Sequence, residues 1–314
     1  MATRSKAVLF LALLLPLLLK ATEPLCQRSQ MLMGTFASIS LPCDQMHYAQ
    51  GAFEILKDVE HALSDYNPQA LLYQLNHKGH IVADAYLLEA LRLSRRYYKE
   101  SGGAFDITVG SITRGLYHFG EQEQIPSKQA LQEANLNMQA ISFDGPKVHL
   151  KENILLDLGG MGKGYGVDKA IAYLKAQGMS RAVVALSGDI RCLHRCKLGI
   201  LDPFSSQVLF YFRMKNRDMG ISTSGNYRRF VKDSQHNHLI NPKTKVSQQT
   251  FASITLIASL PNADLDAYAT AASVMSFQNA LKFLKAKDLE YYLITTDHKH
   301  FSSTDFFKEV NLIQ

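Results

Sequence analysis

Tryptophan is absent from this 314-residue chain, and cysteine occurs only four times. The missing Trp does not rule out a substantial core, because sixteen Phe and fourteen Tyr remain. About 290 residues behind a leader can bury a large interior, as one big domain or two intimate ones. Acidic residues are missing from positions 1–21, which hold Arg4, Lys6 and Lys20. Removing those three positive charges from the formal +6 leaves +3, without the clustered basic stripe that nucleic-acid binding requires. The apolar run at 7–19 is shorter than the roughly 20 residues a membrane-crossing helix needs, and Pro16 interrupts it. No internal repeat or low-complexity linker divides the chain.

A basic start followed by a short apolar run reads as a secretory signal over residues 1–21, leaving 22–314 as the mature domain. Cys26 raises a lipoprotein alternative, but Glu23-Pro24-Leu25 lacks the small residue that usually precedes a lipidated cysteine, so simple export is favoured. In an oxidising compartment the four cysteines allow three pairings. Cys192 and Cys196 flank His194, a spacing that fits a metal site less well than a disulfide or buried thiols.

Alternation of Ala37, Ile39 and Leu41 with Ser38 and Ser40 predicts one opening strand over 31–41. Phe53, Leu56, Val59 and Leu63 recur at helical spacing and predict an amphipathic helix over 50–64. Asp84 is placed to cap a helix over 85–99, and 140–150 reads as a hairpin turning at Asp144-Gly145. Strands are expected at 154–158, 182–186 and 253–259, with a helix over 165–177. Asn262 is placed to cap a helix through Ser276, and a last helix and strand fill 278–296. The polar residues 119–137 read as a helical insertion. Strands mixed with helix pairs, without strict βαβ alternation, argue for an α+β fold.

The densest chemical signal is five glycines within eight residues, at 159, 160, 162, 164 and 166. Such a run lets backbone amides approach a ligand, and a glycine turn opening a helix seats phosphate. It is not a Walker loop, because Gly164 rather than Ser or Thr follows Lys163, and its G-x-G-x-G spacing is not the dinucleotide fingerprint. Taken alone it serves equally as a packing turn. Asp266 and Thr270, four apart, put a carboxylate and a hydroxyl on one helix face, as a hard cation such as Mg²⁺ prefers. The plain alternative is a capped, solvated helix start. His238, after the hydroxyl-rich stretch 221–230, is a candidate general base or hydrogen-bond donor. The turn at Gly102-Gly103 sets Phe105 beside Asp106, a pair able to stack on and hydrogen-bond a flat ring, unless Phe105 is simply core. There is no G-x-S-x-G elbow and no helical His pair, which removes the hydrolase triad and zinc readings.

In chain order, Met33-Gly34-Thr35, residues 63–68 with Leu75-Asn76, and residues 102–106, 157–165, 187–190, 222–225, 238–242 and 266–270 resemble the ApbE family, the FAD:protein FMN transferases. The resemblance runs from about Met33 into the 290s. It implies an α+β fold of mixed and antiparallel sheets with helix pairs, and an FAD site in the cleft between two halves. It implies an exported, periplasmic, Mg²⁺-dependent enzyme that moves FMN from FAD onto a Thr or Ser hydroxyl and releases AMP. The acceptor would be a flavoprotein of a membrane-bound redox complex, and the enzyme itself would be free or anchored at the inner membrane. Carried over by residue, Met33, Tyr66, Ala104, Phe105, Asp106, Gly159, Tyr165 and Ile240 would contact FAD. The Gly162 carbonyl, Asp266 and Thr270 would hold the metal, with Ala269 a further backbone candidate, and His238 would be the base. The chain departs from the family pattern at Asn241 (usually Asp), Lys243 (Arg), Lys245 (Gly), Asn226 (acidic) and Ser187 (Gly). An FAD pyrophosphatase and a non-catalytic exported FAD-binding protein are the alternative readings.

Overall fold

The computed structural model describes residues 24–205, 207–227 and 229–313, so the leader read from residues 1–21 lies outside the described residues. The chain opens with a hairpin in place of the single strand expected over 31–41. Strands β1 (Leu25–Leu32) and β2 (Thr35–Pro42) pair antiparallel around Met33-Gly34. Both turn residues lie at positive φ, 53° and 69°, as a two-residue type I′ turn demands. Gly34 adopts this without a Cβ penalty, whereas Met33 is held there by donating its N–H to Glu60 Oε1 at 2.6 Å. Ala37, Ile39 and Leu41 do fill the buried face, against helix α1 (Tyr48–Leu63).

Helix α2 (Leu71–Lys78), strand β3 (His80–Val82) and helix α3 (Ala85–Glu100) follow. Asp84 caps α3 by accepting from the Leu87 N–H at 2.7 Å, as its position predicts. After α4 (Gly110–Thr113), the expected insertion over 119–137 contains only the short α5 (Lys128–Glu133). The hairpin of β4 (Ile141–Asp144) and β5 (Lys147–Leu150) turns where expected and joins β3 in a three-stranded sheet.

Residues 154–158 do not form the expected strand. Their apolar side chains at 154, 156 and 158 are buried, but their backbone groups find other partners. Asn76 clamps Leu156 from both sides, accepting its N–H at 2.8 Å and donating to its carbonyl at 2.9 Å. The Leu155 N–H goes to Ser111 Oγ and that of Asp157 to the Ile107 carbonyl. A side-chain amide has replaced a neighbouring strand.

The rest alternates less regularly: α6 (Gly162–Ala176), β6 (Val183–Leu186), β7 (Asp189–Cys192), β8 (Lys197–Leu201), β9 (Val208–Met214), β10 (Met219–Gly225), β11 (Phe251–Ala258), α7 (Asn262–Ser273), α8 (Phe277–Ala286), β12 (Glu290–Thr295), β13 (His300–Ser302), α9 (Phe306–Glu309) and β14 (Val310–Ile313). The main sheet runs β1-β2-β6-β7-β10-β11-β12-β13 with every pair antiparallel, and β14-β9-β8 form a third sheet. This is the expected α+β class.

Helices α6 and α7 pack together and against the main sheet. Their approach is closest at Gly164, where a Cβ would sit 2.2 Å from the Asn262 carbonyl oxygen, so only glycine fits. Asn262 does not cap α7 as expected. Its side-chain amide instead bonds the Ile190 and Ile221 carbonyls, and Asp168 of α6 accepts the N–H groups of Asn262 and Ala263, both at 2.8 Å. A carboxylate from one helix thus caps the next. Asp168→Ala leaves both N–H groups unpaired and is expected to cost about 2–4 kcal/mol in urea unfolding. An unchanged midpoint would show that this cap carries no weight.

All four cysteines are paired. Cys26–Cys43 ties the ends of the β1–β2 hairpin, and Cys192–Cys196 closes the loop after β7. The lipidation alternative at Cys26 and the metal alternative at Cys192 and Cys196 are therefore both overturned, since no thiol remains. Disulfides persist in oxidising compartments, which marks the chain as extracytoplasmic. Among the described residues no helix is long and apolar enough to cross a membrane.

Candidate active site

A cavity of about 1060 Å³ opens between the β1–β2 turn, the segments around 65 and 105, the glycine run, the end of β10, the loop reaching His238, and α7. Eleven expected site residues line it: Met33, Tyr66, Ala104, Phe105, Asp106, Gly159, Gly162, His238, Ile240, Asp266 and Thr270. Tyr165 and Ala269 do not. Helix α6 begins at Gly162 rather than at Tyr165, and this earlier start turns the Tyr165 ring into the core. There its hydroxyl donates to Glu89 at 2.9 Å. Ala269 is fully buried, and its carbonyl accepts from Ser273 Oγ at 2.7 Å.

The floor is a set of oxygen donors around one lysine. Asp266 Oδ2 accepts the Gly164 N–H at 3.1 Å and lies 3.5 Å from Lys163 Nζ. The same ammonium is 3.1 Å from Asp189 Oδ2, while Asp189 Oδ1 accepts from Ser222 Oγ at 2.6 Å. Burial pushes the Asp189 carboxyl up to about 7, with Asp266 adding to the rise and Lys163 opposing it. Burial disfavours the Lys163 ammonium, but the two carboxylates outweigh it and hold that group above the usual lysine value. Thr270 Oγ1 donates to the Gly160 carbonyl at 3.2 Å and lies 3.4 Å from Ser224 Oγ. The carbonyl that Thr270 hydrogen-bonds is that of Gly160, and Gly162, which opens α6, lines the same cavity.

Carboxylate, hydroxyl and carbonyl oxygens are the donors that Mg²⁺ takes, so these residues fit such an ion. Among the described residues no group of three or more His, Cys, Asp or Glu gathers to bind a metal alone. An ion here would need phosphate oxygens or water to complete its shell.

The other wall is aromatic and cationic. Arg114 lies over the Tyr66 ring at 3.8 Å, and Arg229 meets the Tyr66 hydroxyl. Burial raises the Tyr66 phenol to about 12 against the pull of Arg229. Asp65, 3.1 Å from Arg114 Nε, is pushed to about 7 by burial and by nearby Asp157. Asp106 Oδ1 accepts from the Thr108 N–H and hydroxyl, so this carboxylate shapes its own turn as well as lining the cavity. Phe105 is nearly all core, set edge-on to Tyr97.

His238 Nδ1 lies 3.1 Å from the Arg229 carbonyl. A carbonyl only accepts, so Nδ1 carries the hydrogen and Nε2 keeps its lone pair. Burial, reinforced by the Arg229 charge, lowers this imidazole to about 4. It is therefore neutral at physiological pH. Asn241 does not touch His238: its amide donates to the Val274 carbonyl at 2.7 Å while its oxygen accepts the Lys243 and Thr244 N–H groups. Ser187 and Lys245, where the resemblance implies glycine, both lie at positive φ, 55° and 62°. Lys245 offsets that strain by donating to the Gln132 and Ala134 carbonyls at the end of α5.

Residues missing from the sequence reading as site components are Arg229, Asp65 and Asp189, all brought in by tertiary structure, whereas Ser224 lies in the hydroxyl-rich stretch that the sequence offers. Asp189 and Ser224 stood inside motifs that resemble the family's, yet nothing in a linear sequence pairs Asp189 with Lys163.

The model of the ApbE family matches residues 33–293. A Treponema pallidum protein named FAD:protein FMN transferase is 27% identical, covering 82% of this chain and 81% of its own. Haemophilus influenzae and Escherichia coli proteins of the same name are 28% and 25% identical, covering 82% and 86% of this chain and 81% and 84% of their own. Among solved structures, the flavin transferase ApbE from Vibrio cholerae superposes with a TM-score of 0.79 at 23% identity, over 91% of this chain and 100% of that one. An ApbE protein from Thermotoga maritima gives 0.83 at 22% identity, over 91% and 99%. With its strand order, its cavity and a family match spanning most of its length, the chain belongs to the ApbE family.

Proposed function

We propose that this chain is an FAD:protein FMN transferase, moving FMN from FAD to a Thr or Ser hydroxyl of an acceptor flavoprotein and releasing AMP. The observation that carries this is one cavity lined by the glycine run and holding a cluster of oxygen donors beside Lys163 and a neutral imidazole. Its volume of about 1060 Å³ stands at the upper end of small-molecule pockets, as a dinucleotide demands.

In this reading Met33, Tyr66, Ala104, Asp106, Gly159 and Ile240 form the flavin walls. Asp266, Thr270 and the Gly162 carbonyl, with the Gly160 carbonyl beside Thr270, would hold Mg²⁺, which would neutralise pyrophosphate charge. The acceptor oxygen forms a bond to the FMN phosphorus as the anhydride P–O bond to AMP breaks. The hydroxyl proton passes to His238 Nε2, and Lys163 faces the charge gathering on the departing phosphate. The mature chain, 22–314, would work after export, beside a membrane-bound acceptor.

Chromatography of the nucleotides, with and without an acceptor flavoprotein, tests this. The transferase yields AMP without free FMN, and only when acceptor is present. Acceptor-independent FMN and AMP would make the chain a pyrophosphatase, and intact FAD would make it a binding protein.

A further inference from the structure

Ile190 and Leu198 line the cavity and also a second, shallower groove of about 460 Å³. One side of this groove is the outer face of the β1–β2 hairpin, where Gln27, Ser38 and Ser40 present polar side chains. The facing side is cationic: Lys197 and Arg213 line it beside His194 and, among the described residues, no Asp or Glu does. The Nδ1 of His194 is buried, and the Ala182 backbone hydrogen-bonds its ring. Burial, with Arg181 and Arg217 nearby, keeps that imidazole below the usual histidine range, so it meets a ligand as a neutral donor or acceptor.

Side chains two apart on a strand share a face, so Phe36 continues the row of Ser38 and Ser40 toward the cavity. Met31 pairs with it across the hairpin. The two are 70% and 62% exposed and flank the Met33-Gly34 turn that forms part of the cavity wall. An apolar pair at the mouth therefore continues into a polar groove with a cationic wall. Each disulfide braces one side, Cys26–Cys43 the hairpin and Cys192–Cys196 the loop carrying His194.

We propose that this groove seats the acceptor polypeptide as an extended, carboxylate-bearing segment whose hydroxyl residue enters the cavity past Met31 and Phe36. The proposal rests on the transferase reading for its partner. The occupant follows from the groove's continuity with the cavity and from a cationic wall that no acidic residue of the groove neutralises.

The test uses the full chain loaded with FAD and two fluorescein-labelled threonine peptides, one flanked by aspartates and one by asparagines, read by anisotropy. The aspartate peptide is expected to bind at least about tenfold tighter. Lys197→Glu with Arg213→Glu should abolish that preference and transfer it to a lysine-flanked peptide, a rescue that a misfolded variant cannot give. FAD affinity should not change. Equal affinity of the wild type for aspartate and asparagine peptides would overturn the proposal. So would binding to phosphatidylglycerol vesicles that the double variant loses while its peptide binding stays intact, because the wall would then serve a lipid surface. A wild type that binds the aspartate peptide selectively yet never modifies an acceptor retains the groove and fails the transferase reading.

Discussion

Asp266→Asn is expected to lower FMN transfer at least about a thousandfold at saturating FAD and Mg²⁺, about 4 kcal/mol of transition-state stabilisation. Asp266 stands one turn before Thr270 on α7, with Oδ2 3.1 Å from the Gly164 N–H of the glycine run. Asparagine preserves the shape and can still accept that N–H, so the loss isolates the charge. Without it, a divalent ion held by Asp266, Thr270 and the Gly162 carbonyl would keep only neutral protein donors. Melting curves give an independent readout. Mg²⁺ with FAD should raise the melting temperature of the wild type by mass action and leave the variant nearly unmoved. Full metal-dependent transfer by Asp266→Asn would remove Asp266 from the metal site.

His238→Ala should lower transfer by about a hundredfold to ten-thousandfold, the usual span for losing a positioned general base. FAD affinity should change far less, because the proposed role begins only when a hydroxyl arrives. The pH profile sharpens this. Burial and Arg229 hold the imidazole at about 4, so it is neutral and able to accept a proton at every pH well above that value. Protonation on acidification removes the lone pair. The His238 limb of kcat/KM should therefore fall near pH 4 in the wild type and be missing from the residual activity of His238→Ala. Equal losses of FAD binding and transfer would instead make His238 a structural residue that holds the Arg229 carbonyl.

Much of the site was legible because its chemistry is written in short local motifs. Asp266 and Thr270 share a helix face by spacing alone, and His238 stands beside a Pro turn. What failed was direction and partnership. Tyr165, a flavin contact by resemblance alone, is packed in the core with its hydroxyl on Glu89, and α6 starts at Gly162, earlier than the pattern suggests. The apolar run at 154–158 has a strand's composition but not a strand's neighbours, since its backbone is met by Asn76 and Ser111. The hairpin at Met33-Gly34 was missed because its turn lacks the Asn-Gly or Asp-Gly signal and depends on Glu60, 27 residues away. Asp168 capping a helix that begins 94 residues later is invisible to any local rule. Asn241, a departure from the pattern of the resembled family, holds a turn and the Val274 carbonyl in the structure.

Tandem mass spectrometry of an acceptor flavoprotein, incubated with this chain, FAD and Mg²⁺, tests the central claim most directly. FMN joined through a phosphoester to one Thr or Ser, with one AMP released per label and none by Asp266→Asn, is the predicted result. An unmodified acceptor beside consumed FAD would contradict it.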